Sequence, residues 1–160
     1  MSPLSEPASV APVRHRLVLP LPPASAFQLF TRSLARWWPL TSHSCGGETA
    51  QDVVFEERVG GAVVELTRDG QRHRWGTLLE WDPPHGFEMT WHPGQPESQA
   101  TRVRVRFVAT GDGGDGCELQ LEHGGWEARG DDGPRVRDGY QQGWGEVLGR
   151  LAAAAREVHA

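Results

Sequence analysis

A chain of 160 residues with 38% hydrophobic and 23% charged side chains fits one globular core, and its 20 Gly and 12 Pro point to many turns. The net charge of −5, with every one of the 16 basic residues an Arg, lacks the basic footprint of phosphate-backbone binding and argues against nucleic acid as a partner. No apolar run approaches the ~18 residues of a membrane span, and residues 1–12, punctuated by Pro3, Pro7 and Pro12, lack a signal peptide's apolar centre.

The expectation is therefore a disordered tail over 1–12 followed by a single domain over 13–160, cytoplasmic and without membrane contact. Cys45 and Cys117 have no CxxC spacing and make no disulfide framework. Neither a metal site nor a cofactor is expected. There is no GxSxG elbow, P-loop or GxGxxG turn, which leaves serine hydrolases, phosphate-loop enzymes and dinucleotide oxidoreductases without support.

Residues 14–19 read as a first strand, stopped by Pro20-Leu21-Pro22-Pro23. Pro23 suits a first helical turn, and Phe27, Phe30 and Leu34 recur at helical spacing, which predicts a short amphipathic helix over 24–33. Trp37-Trp38 falls on a second helical turn ended by Pro39, and 40–51 reads as a loop. From 52 to 125 the period changes to two, with turn residues at Gly60-Gly61, Asp69-Gly70, Pro83 to Gly86, His92 to Pro96 and Gly111 to Gly116. Six antiparallel strands follow, over 52–59, 62–67, 72–82, 86–92, 100–109 and 117–124. The segment 133–158 returns to helical spacing, with Tyr140, Trp144, Val147, Leu148, Leu151 and Ala155 on one stripe. Its Gly139, Gly143, Gly145 and Gly149 each cost about 0.5–1 kcal/mol against Ala, which calls for close packing or room for a ligand.

Alternation assigns the strand faces. The inward rows are expected to be Val53, Phe55, Glu57 and Val59; Ala62, Val64 and Leu66; His73, Trp75, Thr77, Leu79 and Trp81; Phe87, Met89 and Trp91; Thr101, Val103, Val105 and Phe107; and Cys117, Leu119, Leu121 and His123. Arg102, Arg104 and Arg106 then face outward against Glu118, Gln120 and Glu122, a solvated and charge-paired surface.

Several local motifs occur in a fixed order along residues 14–156. They are Ala26-Phe27-Gln28-Leu29-Phe30, Trp37-Trp38-Pro39-Leu40, Gly60-Gly61, Trp75-Gly76, Leu79-Glu80-Trp81-Asp82-Pro83-Pro84, Thr90-Trp91, Leu121-Glu122-His123, Gly125-Trp126, and Gly143-Trp144 leading to Leu148 and Leu151. With these the chain resembles the START-like, SRPBCC helix-grip superfamily, and within it the small bacterial proteins similar to the activator of the heat-shock-protein ATPase. The resemblance implies an α+β helix-grip fold: a curved seven-stranded antiparallel sheet wrapped around a long carboxy-terminal helix, two short helices after the first strand, and a cavity between sheet and helix. That superfamily holds binders, cyclases, hydrolases and cochaperones, and fold alone does not choose among them.

The inward rows and that architecture nominate Trp37, Trp38, Phe55, Glu57, His73, Trp75, Thr77, Met89, Trp91, His123, Tyr140 and Trp144 as ligand-lining residues. Tryptophans at such positions either stack on a flat ligand or fill the core. The leading expectation is a binder of a small apolar or aromatic molecule. The alternative is a cofactor-independent cyclase or hydrolase in which Glu57, its carboxyl raised by burial, and His123 form an acid–base pair. A third, implied by the resemblance alone, is a partner of a heat-shock-protein ATPase. A homodimer is left open.

Overall fold

The computed structural model describes residues 10–159. Strand β1 (Val13–Leu19) runs into α1 (Pro23–Thr31) and the single turn α2 (Leu34–Trp37). Then come β2 (Ala50–Phe55), β3 (Ala62–Thr67), β4 (Arg72–Asp82), β5 (Gly86–Trp91), β6 (Thr101–Thr110), β7 (Gly116–Gly124) and the long helix α3 (Gly133–His159). The seven strands form one antiparallel sheet in the order β1-β7-β6-β5-β4-β3-β2, curled around the helices. This is the helix-grip architecture. Of the tail expected over 1–12, residues 1–9 lie outside the described residues; Arg137 of α3 donates to the carbonyls of Ala11 and Pro12.

The local causes are legible. Pro23 occupies the first position of α1, where its missing N–H removes nothing. Trp38 is extended, with ψ at 132°, because the following Pro39 disfavours helical geometry, so α2 stops there. α3 buries Trp144, Val147, Leu148, Leu151, Ala154 and Ala155 along one stripe. Its glycines do not need close packing: a Cβ at Gly139, Gly143 or Gly149 would meet nothing within 4 Å.

Two aromatic clusters fill the concave side of the sheet. Under α1, Phe27, Phe30, Phe55, Trp81, Phe87 and Phe107 pack with ring centroids 5.0–6.3 Å apart. Under α3, Trp38, Trp75, Trp91 and Trp144 meet at 5.2–6.1 Å, backed by His123, Trp126 and Tyr140. Trp37 and Trp38 join the two clusters at 5.7 Å.

The expected face of β3 is inverted. A turn at Gly60-Gly61 alone would oppose Val59 to Ala62, but the connection spans residues 56–61 and the observed register is Phe55 with Val63 and Val53 with Glu65. An odd shift in register reverses every side chain. Val63 and Glu65 therefore face inward with Val53 and Phe55, while Val59, 65% exposed, sits in the turn.

β4 departs from its expected row in a similar way. Its register shifts near Gly76 and again between Leu78 and Glu80, so Leu78 is buried and Leu79 is exposed. Gly76 is required there, because a Cβ would lie 1.7 Å from the Thr90 carbonyl oxygen. On the outer face the charges pair with other partners than expected. Glu122 and Glu118 of β7 take Arg14 and Arg16 of β1, and Arg106 takes Glu80.

Candidate functional site: an indole box under a pinned loop

Where the loop after α2 crosses the end of α3, Trp38, Trp75, Trp91 and Tyr140 line a space of about 250 Å³. Ser42 to Cys45 form one rim, and Pro93 and Gly94 the other. Beside this space, between the sheet and α3, the indoles of Trp38, Trp75, Trp91 and Trp144 pack against one another. A wider concavity, about 790 Å³, lies elsewhere, over the Arg14, Arg16, Arg104 and Arg106 rows of the outer sheet face.

Glu65 pins the loop. Its carboxylate, 0% exposed, accepts from the backbone N–H of Cys45 at 2.8 Å, from that of Gly46 at 2.7 Å and from Trp75 Nε1 at 2.9 Å. Gly46 has no room for a side chain, since a Cβ would come within 2.8 Å of Thr67 Cγ2 and 3.0 Å of Glu65 Oε2. Trp38 Nε1 donates to the His43 carbonyl at 2.8 Å, and the Ser44 hydroxyl, which donates to Leu40 O, accepts from Gly47 N at 2.9 Å. Burial, and the Glu65 carboxylate beside it, hold the Cys45 thiol above its ordinary pKa, so it is a protonated group and a poor nucleophile at neutral pH.

Tyr140 supplies the polar group of the box. Its oxygen accepts from Trp91 Nε1 at 3.1 Å, and among the described residues its own proton meets no acceptor. Burial pushes the phenol pKa up, which keeps it a donor. At the rim, the His43 ring lies 2.7 Å from Ser42 Oγ through Nδ1, and 3.9 Å from Glu146 of α3 through Nε2.

His123 stands behind the box. Trp144 Nε1 donates to its Nδ1 at 2.9 Å, and an indole N–H can only donate, so the proton of the neutral ring resides on Nε2. Nε2 in turn donates to Thr101 Oγ1 at 2.7 Å, which donates to the Trp91 carbonyl at 3.2 Å. Burial depresses the His123 pKa to about 3. Both nitrogens are engaged and the ring is 0% exposed, which leaves no free base for chemistry.

Of the residues nominated from the sequence, Trp38, Trp75, Trp91 and Tyr140 come together at the box. Trp144 and His123 form its back wall. Trp37, whose Nε1 donates to Leu29 O, Phe55 and Met89 belong to the core. Thr77 is a half-buried strand residue, its N–H donating to Thr90 Oγ1, and His73 is a half-buried residue opposite Glu65 in the β3–β4 register. Glu57 is far from a buried acid. It is exposed and bound at 2.9 and 3.1 Å by Arg32, which holds its carboxyl below the ordinary value instead of raising it. Glu65 was missed, and the register of the β2–β3 hairpin is the signal that locates it.

Comparison with known proteins agrees with the fold. An anthrahydroquino-γ-pyrone synthase shares 32% identity, covering 92% of this chain and 98% of its own, with a TM-score of 0.62. The self-sacrificing resistance protein CalC from Micromonospora echinospora shares 23% over 94% and 97%, with a TM-score of 0.69. An HSP90 activator from Plasmodium falciparum shares 23% over 71% and 72%, with a TM-score of 0.52. No curated protein matches the sequence. The family described as "Activator of Hsp90 ATPase homolog 1-like protein" matches residues 20–156, and the chain belongs to it.

Proposed function

We propose that the protein binds a small molecule in the indole box, laying an apolar or aromatic portion against Trp38, Trp75 and Trp91 and receiving a hydrogen bond from Tyr140. The observation that carries this reading is the Tyr140 hydroxyl, a half-buried donor that already accepts from Trp91 and is left with a proton to give at an aromatic wall. Native mass spectrometry of freshly purified protein is the direct test, backed by titration with a panel of aromatic carbonyl compounds. A co-purifying mass or saturable binding is expected, with Tyr140→Phe weakening carbonyl-bearing ligands about tenfold, the value of ~1.4 kcal/mol for a lost hydrogen bond. No bound mass and no saturable binding across the panel would refute it.

Catalysis on the bound molecule is the second reading, favoured by 32% identity to a synthase over nearly the whole of both chains. The groups placed for proton transfer are then Tyr140 and His43, the latter oriented by Ser42 and Glu146. Turnover that survives both Tyr140→Phe and His43→Gln rules this reading out. Partnership with a heat-shock-protein ATPase rests on the family description alone, and failure to change that ATPase rate in a mixed assay removes it.

A further inference from the structure

We infer that the part of the ligand seated in the box is a compact alkylated ammonium group. The inference rests on the box being the ligand site, and it follows from the charges and π-faces around that space. The walls are three indoles and a phenol, whose ring faces are electron-rich and attract cations. None of the chain's arginines lines the space, and the one whose charge reaches the Tyr140 hydroxyl, Arg129, lies outside the lining.

Behind the wall sits Glu65, buried and, among the described residues, without an Arg or His ion pair. Two of its three donors belong to residues that form the wall, Cys45 and Trp75. Its field therefore reaches the space through a low-dielectric layer that screens it weakly. An indole that donates its N–H to a carboxylate also carries more electron density on its face, so the Trp75 bond strengthens the attraction it shares. Outside the rim the exposed Glu146 lies 3.9 Å from the His43 ring, where solvent screens its charge.

Size agrees with charge. About 250 Å³ is below the ~300–1,000 Å³ of pockets for drug-sized ligands, and suits a head group of a few methyls around one nitrogen. A phenolate or carboxylate ligand would meet the field of Glu65 with the wrong sign. The Tyr140 hydroxyl remains to donate to a neutral oxygen on the same molecule.

The test is isothermal titration of the full chain with choline and with its neutral isostere 3,3-dimethyl-1-butanol, which share shape and hydroxyl and differ in charge. 1-Naphthol serves as a flat neutral probe. Choline is expected to bind at least about tenfold more tightly than the isostere, the ratio that a desolvated cation–π contact supplies. Glu65→Gln, which also loosens the rim, should weaken choline more than the isostere and so narrow that ratio. Equal affinity for choline and isostere, or binding of 1-naphthol alone, overturns the ammonium assignment and leaves the binding pocket standing. Equal weakening of both by Glu65→Gln makes Glu65 a loop support only and overturns the part assigned to its charge. Absence of binding by all three probes overturns the pocket reading with it. The wild-type comparison decides the charge question even where Glu65→Gln fails to fold.

Discussion

Acidification should weaken this protein through His123 before it reaches the carboxylates. The folded ring resists protonation down to about pH 3, because burial penalises the cation and both nitrogens are committed, whereas the unfolded chain protonates it near 6.5. Between those values the unfolded state binds more protons, so stability is fully present above pH 6.5 and falls as pH drops toward 3. The slope is ~1.4 kcal/mol per pH unit, which gives a loss of about 2 kcal/mol between pH 6.5 and 5. Glu57, Glu56 and Asp69, all held below their ordinary values of 4.5, 4.5 and 3.8, also favour the folded state, but lose that contribution only below this window. Urea unfolding followed by tryptophan fluorescence at several pH values from 7.5 to 5 measures the slope in the wild type and in His123→Gln. The amide keeps an acceptor for Trp144 and a donor for Thr101 but does not titrate, and the other six histidines are common to both proteins. A steeper wild-type curve is expected; parallel curves would refute the account of His123.

Other substitutions test the loop, the helix and the bulge. Glu65→Gln places an amide NH₂ where a backbone donor now finds an oxygen, and should cost about 1–3 kcal/mol in denaturant unfolding and speed hydrogen exchange at Cys45 and Gly46. Gly143→Ala and Gly149→Ala, facing open space within α3, should each add about 0.5–1 kcal/mol, read as a rise in Tm of ~2–4 °C. Gly76→Ala drives a Cβ into the Thr90 carbonyl and should destabilise by about 3 kcal/mol, with the sheet register near Trp75 disturbed in amide chemical shifts.

The sequence showed the elements well where periodicity was long. The α3 stripe, the Trp37-Trp38-Pro39 stop and the β5, β6 and β7 rows all depend on local pattern, and their boundaries are reproduced within a residue or two. Register was harder, because it depends on where a turn begins. In the β2–β3 hairpin the glycine pair marked the end of a longer connection, and the odd difference exchanged Glu65 for Glu57 as the inward carboxylate. The bulges of β4 exchanged Leu78 for Leu79 by the same physics. Four of the nominated residues, Trp38, Trp75, Trp91 and Tyr140, border one space, and aromatics at inward positions are legible by type alone. The loop rim, Ser42 to Cys45, was invisible as a wall, since its position depends on hydrogen bonds to a carboxylate twenty residues away in sequence.

The glycines of α3 have a kinetic meaning as well. Gly139, Gly143 and Gly145 fall in the half of the helix that carries Tyr140 and Trp144 and Gly149 lies just past its midpoint, while residues 150–156 are rich in alanine. Intrinsic helix formation is therefore uneven along one continuous rod: the alanine-rich end holds its own backbone bonds, and the glycine-rich part leans on tertiary contacts, among them Arg137 to Ala11 and Pro12, Gln141 with His15, and the buried Trp144. Its amide protons should exchange through a local opening well below the global unfolding free energy, and that opening is a door into the box that leaves the sheet intact. A seated ligand would close the door from inside, so slowed exchange at residues 139–149 would report occupancy without any label on the ligand.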